Sequence, residues 1–235
     1  MRAAVVVIGG VLAGILAVLL VAAVAGDGDE PEASDPSTIV ELRFPAVAHD
    51  IDAAEGLIVA WNRWRTASFV TTGTWSRTPD GGADPLNGET FTAQDPPRRL
   101  VVRLGTVIES IEGSVTVCDA PSEDVIVPGC QEVGGVRSYD ERVADEMQLV
   151  VEYVVGDARL YDVGFDDVDN PFQSCFRVEL REQVLRSPWG RAARFCFDDE
   201  TGALASTLVR RQSAVDEEIT AGFRTDVRDT DFLQN

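Results

Sequence analysis

The chain has 235 residues, 45% of them hydrophobic and 26% charged, with a formal net charge of −20. That balance excludes a nucleic-acid binder, because no basic stripe exists to release phosphate counterions, and it disfavours an anionic lipid surface held by charge alone. All 20 basic residues are arginine, which removes Schiff-base chemistry, a catalytic lysine and a phosphate-loop lysine together.

Residues 3–25 form an uncharged run of Ala, Val, Ile, Leu and Gly, reaching the roughly 20 residues a helix needs to cross a bilayer. Arg2 precedes the run, and Asp27, Asp29, Glu30, Glu32 and Asp35 come after it. This arrangement keeps the N-terminus cytoplasmic and exports the rest of the chain. The run reads as a retained transmembrane anchor. A signal peptide cleaved near Ala23-Val24-Ala25 is the competing reading, and both place the domain outside the cytoplasmic membrane. Residues 26–45 read as an acidic, solvated linker, and residues 46–235 as one extracytoplasmic domain.

Residues 50–65 carry Ile51, Ala54, Leu57, Ile58, Trp61 and Trp64 at helical spacing, a single apolar stripe, and 52–55 resemble a capping box at its start. His49, the only histidine, is expected to be a surface or capping residue. Residues 66–76 alternate as a strand, with Phe69, Thr71, Gly73 and Trp75 on one face. A Gly- and Pro-containing loop spans 79–87, and a strand lies around 89–93. Gln94-Asp95-Pro96-Pro97 is expected to break the ladder. Two more strands cover 98–104 and 114–118, with Glu112-Gly113 as a turn. Residues 140–155 read as a second helix through Val143, Met147, Val150, Val151 and Val154; a strand from Met147 onward is the rival, since valine weakens helix propensity.

Residues 161–165 open a long meander, interrupted by the acidic turn 166–171, where calcium is conceivable but no ligand spacing is diagnostic. In 175–180 the period of two places Phe176, Val178 and Leu180 opposite Cys175. In 193–197 it places Ala193, Phe195 and Phe197 opposite Cys196. Residues 198–202 turn, and 203–210 form the next strand. Residues 213–235 are charged, with Phe223, Val227 and Phe232 able to dock as a last strand or turn.

Four cysteines in an exported chain suggest two disulfides, although three pairings exist. Cys118 and Cys130 flank one loop and pair most economically, leaving Cys175 and Cys196 for the meander. Zinc is disfavoured: there is no C-x-x-C and the single histidine is distant. No nucleophile elbow, phosphate loop, dinucleotide fingerprint or H-E-x-x-H occurs, and sequence cannot place a glycosidase-like carboxylate pair. The expectation is a protein that is not an enzyme and holds no metal or cofactor.

The helix ending in Trp61-Asn62-Arg63-Trp64 and the strand after it carry a resemblance. So do the Gln94-Asp95-Pro96-Pro97-Arg98-Arg99-Leu100 segment, the strand after Gly113, and the strand–turn–strand from Cys196 to Leu204. Together they resemble the periplasmic lipoprotein carriers of the LolA type and their relatives LppX, LprG and RseB. The resemblance spans most of residues 46–233. It implies an α+β fold: a curved, incompletely closed antiparallel sheet, a half-barrel, with helices on its concave face. It also implies an apolar cavity able to hold an acyl chain. The chain departs from the pattern in lacking a lipobox cysteine and in its two expected disulfides.

These readings converge on a membrane-anchored extracytoplasmic protein that binds a lipid or other hydrophobic ligand. The cavity candidates are Trp61, Trp64, Phe69, Trp75, Phe176, Phe195 and Phe197. The rival reading is a cell-envelope sensor or scaffold acting through protein–protein contacts.

Overall fold

The computed structural model describes residues 44–119, 129–167, 170–182 and 187–233. The apolar leader, the linker up to residue 43, and Val168 and Asp169 of the acidic turn lie outside the described residues.

Eleven strands form one antiparallel sheet in the order β6-β5-β4-β3-β2-β1-β11-β10-β9-β8-β7. Strands β1 (Phe69–Pro79), β2 (Leu86–Asp95), β3 (Arg98–Arg103), β4 (Thr106–Ile111), β5 (Ser114–Asp119) and β6 (Cys130–Val133) make one meander. Strands β7 (Tyr161–Phe165), β8 (Gln173–Leu180), β9 (Ala192–Asp198), β10 (Leu204–Arg210) and β11 (Ala214–Arg224) make the other. Strand β11 pairs with β1 and joins the two, while β6 and β7 remain as separate edges, so the sheet does not close into a barrel. The join is tight: a Cβ on Gly73 would lie 2.2 Å from the Ile219 carbonyl oxygen, and the register shifts between Thr72 and Gly73. Only a residue without a Cβ permits that approach.

Helix α1 (Ile51–Thr66) is capped by Asp50, whose carboxylate accepts from the Ala53 N–H at 3.1 Å. The cap therefore lies ahead of the 52–55 segment, because Asp50 is the residue that leaves extended backbone as the helix begins. The buried stripe is Ala53, Ala54, Leu57, Trp61 and Arg65, whereas Ile51 is 68% exposed. Two hydrogen bonds to the Val163 backbone set the entry of the helix over β7: Asp50 N–H donates to Val163 O (2.7 Å), and Val163 N–H donates to the His49 side chain at Nδ1 (3.3 Å). At the other end the fully buried Gln94 donates through Nε2 to the carbonyls of Trp64 (2.6 Å) and Ala67 (2.8 Å). A strand side chain thus satisfies acceptors that a helix C-terminus leaves open. The ladder also runs on through Gln94 and Asp95, and Pro96 and Pro97 form the turn of the β2–β3 hairpin instead of ending the strand before it.

Helix α2 (Tyr139–Val154) starts with a full capping box, Ser138 with Glu141, which decides against the rival strand. It buries Tyr139, Val143, Val150 and Val154 and leaves Val151 40% exposed. Both helices cover the β7–β10 half of the inner face, packing on Tyr161, Val163, Phe176, Val178, Phe195, Phe197 and Val209.

The outer face holds two smaller clusters. Cys175 and Cys196 are directly opposed across β8 and β9 and form a disulfide with 4.1 Å between Cα atoms, beside Ala205 and Phe223. Cys118 and Cys130 form the second, across β5 and β6. On β1–β5, Val70, Ala93, Leu100, Val107 and Cys118 are covered by Phe232 from the C-terminal segment. Asp166 of the acidic turn lies 3.2 Å from Arg177 and 3.8 Å from Arg194, so its charge is met by arginines.

Candidate ligand-binding site

Strand register arranges the inner face in rungs. One rung runs Arg103–Thr90–Gly73–Thr220; the next runs Trp75–Glu218–Thr207–Phe195–Phe176. Along these rungs hydroxyls and charges occupy β2, β3, β10 and β11, aromatic rings occupy β8 and β9, and β1 contributes Trp75. A hollow of about 260 Å³ spans the change, with lining from β3 at one side to β9 at the other. Those strands are five spacings of about 4.8 Å apart, roughly 24 Å if flat. Their side chains can share so small a space only because the sheet curls around it.

The aromatic wall is built on Trp61. Its ring centroid lies 5.2 Å from that of Trp64 and 5.1 Å from those of Trp189 and Phe195. Edge and tilted contacts of this kind each contribute about 0.5–1.5 kcal/mol beyond area burial. The Trp61 indole N–H donates to Glu146 on α2 at 2.8 Å, and the other Glu146 oxygen lies 3.1 Å from Arg65 Nε. The ring cannot rotate without breaking that helix-to-helix link. Trp189 is held by Tyr161, whose hydroxyl accepts from the Trp189 N–H (3.0 Å) and donates to Gly190 O (3.1 Å). Burial pushes the Tyr161 phenol up to about 12, so it stays a neutral donor. Gly190 has φ +71, and a Cβ there would lie 2.3 Å from the Arg210 carbonyl oxygen, which leaves glycine as the residue that lets this loop meet β10.

The polar wall consists of Thr71, Thr90, Thr92, Arg99, Arg103, Asp216, Glu218 and Thr220. Burial alone would raise Asp216, but hydrogen bonds from Arg77 (2.6 and 2.8 Å) and Arg211 (3.1 Å) outweigh it and hold the carboxyl below its ordinary range. Glu218 has Arg103 at 3.5 Å and the more distant charge of Arg99, and there burial wins and raises it. Among the described residues Arg103 and Arg211 each have a carboxylate at ion-pair distance, and Arg99 has none. Its guanidinium sits 5.4 Å from the Trp64 ring centroid, and its Nε is buried without a hydrogen-bond partner. Burial, aided by nearby Arg65, lowers it to about 10, so it remains cationic at neutral pH.

Of the seven aromatic candidates, Trp61, Trp64, Phe69 and Phe195 line the hollow. Phe176 and Phe197 pack beneath the helices in the filled core. Trp75 is buried under two guanidiniums, Arg103 at 4.8 Å and Arg77 at 5.6 Å. Sequence reasoning missed Trp189, an isolated ring in a loop with no periodicity to assign it. It also missed the polar wall, because Asp216 and Glu218 read as solvated charge until β11 is paired on both sides. Among the described residues no group of three or more His, Cys, Asp or Glu side chains is placed to hold a metal ion.

Comparison with protein-family models finds no match, and comparison of the sequence with characterised proteins finds none. Among solved structures the fold is similar to that of a LolA superfamily protein from Nitrosomonas europaea, at 8% identity and TM-score 0.31, over 77% of this chain and 98% of that one. It is similar to the lipoprotein LppX of Mycobacterium tuberculosis, at 14% identity and TM-score 0.33, over 83% and 99%. It is also similar to MucB, solved in complex with periplasmic MucA, at 14% identity and TM-score 0.36, over 79% and 60%. These are likenesses of fold alone.

Proposed function

We propose that the chain is an extracytoplasmic, membrane-tethered binding protein that takes the apolar part of a ligand into the hollow beside Trp61. The observation that carries this reading is the convergence of Trp61, Trp64, Trp189 and Phe195 on unfilled space at the edge of an otherwise filled core. Residues 3–25 supply the tether, and the two disulfides suit an oxidising compartment. The size sets a limit. A hollow of about 260 Å³ falls just under the roughly 300–1,000 Å³ of sites that enclose a drug-sized molecule. It suits one short or partly inserted chain and not several acyl chains at once.

A second reading, a sensor or scaffold, is favoured by the outward groove between α1 and α2. Ile58, Val59, Met147 and Val151 line it, and Val59 is 67% exposed. Native mass spectrometry of the full chain extracted from membranes separates the two. Ligand carriage predicts a co-purifying mass that is lost in Trp61→Ala. Protein with no adduct, wild type and variant alike, would leave the scaffold reading.

A further inference from the structure

We infer that the ligand is an amphiphile with an oxyanion head, a phosphate or carboxylate, and that Arg99 receives that head while the chain lies along Trp61 and Trp189. The inference rests on the hollow being a binding site and adds the chemistry of what it binds.

The charges along the wall lead to this assignment. Three guanidiniums line the hollow, those of Arg99, Arg103 and Arg211, against two carboxylates, Asp216 and Glu218. Asp216 is taken by Arg77 and Arg211, and Glu218 stands by Arg103. Nearby Arg65 is met by Glu146. Among the described residues no carboxylate lies within ion-pair distance of Arg99, which has the face of Trp64 and only the longer-range fields of Glu146 and Glu218. A guanidinium drawn partly out of water with no carboxylate at contact distance is costly. An oxyanion in the hollow would remove that cost, with hydrogen-bond donors already facing it. Thr71, Thr90 and Thr92 add hydroxyls on the same wall. The setting sharpens the point, because a chain of net charge −20 repels anions everywhere that a local cation does not oppose it.

The test is a tryptophan-fluorescence titration of the full chain in phosphatidylcholine nanodiscs, with empty nanodiscs as the blank. Hexyl phosphate, hexanoate and hexanol are compared at fixed chain length. The wild type should bind at least one of the two anions on the order of ten- to a hundredfold more tightly than the alcohol, the range of a charge-assisted hydrogen bond. The better anion tells which head is native. Arg99→Gln should abolish the preference, bringing both anions to the affinity that the same variant shows for hexanol; a merely structural arginine would weaken all three together and leave the preference standing. Arg103→Gln, which leaves Arg99 in place, should retain most of the preference and serves if Arg99→Gln does not fold. Equal affinity of wild type for all three probes overturns the oxyanion assignment and leaves apolar binding intact. Saturable binding of none overturns both.

Discussion

Glu218 and Asp216 stand two residues apart on β11 and face the same hollow, yet their carboxyls are shifted in opposite directions from the ordinary value. The difference is the number of donors: Asp216 accepts from two arginines at hydrogen-bond distance, while Glu218 has one at 3.5 Å. Because burial raises Glu218, the folded protein holds its proton more tightly than the unfolded chain does. That contribution is present below the ordinary carboxylate range and is lost as pH rises through the raised value. Glu218→Gln should therefore lose less stability than wild type between pH 4 and pH 7, as read by denaturant unfolding at the two pH values. An identical pH dependence in the two proteins would mean that Glu218 titrates as a solvated side chain.

At the scale of elements, the C-terminal segment depends on one buried ion pair. Glu109, only 2% exposed, accepts from Arg98 Nε at 2.9 Å, and Arg98 also donates to the Leu233 carbonyl and lies 4.1 Å from the Phe232 ring centroid. Arg98→Ala should cost about 3 kcal/mol, since it leaves Glu109 buried without its partner. It should also increase hydrogen exchange at Phe232 and Leu233, whose N–H reaches Glu109 at 3.3 Å. A loss below about 1 kcal/mol would place that pair among ordinary surface pairs. Legibility in the sequence tracks the strength of local periodicity. Strands β8 and β9 and their cysteine faces were readable because aromatic and cysteine side chains alternate strictly, and α1 because Leu57, Trp61 and Trp64 recur at its pitch. Strand β4, the six residues Thr106 to Ile111, has no counterpart in the sequence reading, since its charged Glu109 occupies what proves to be a buried position. Strand β11 was read only as a possible terminal strand. Its Asp216-Glu217-Glu218 run looks solvated, and long-range pairing to β1 and β10 is what makes it central.

For the whole molecule, the helices fill one half of the curled sheet and leave the other half lined by hydroxyls and arginines. Function is assigned to the boundary between them. The seven aromatic positions picked out by pattern could not reveal that boundary, because a period of two gives the face of a residue and not whether the space above it is occupied. Phe176 and Phe197 share a face with Phe195, yet they are covered by α1 and α2 and only Phe195 meets the hollow. Three of the four tryptophans line that space, which gives the account its most direct measurement: quenching of intrinsic fluorescence by 6-bromohexanol, whose bromine acts at contact range. A hollow that takes up an alkyl chain gives saturable quenching in the wild-type chain and loses it in Thr92→Phe, which fills the space from the sheet side. Quenching that stays linear in the wild type, or that is unchanged by Thr92→Phe, would contradict the account.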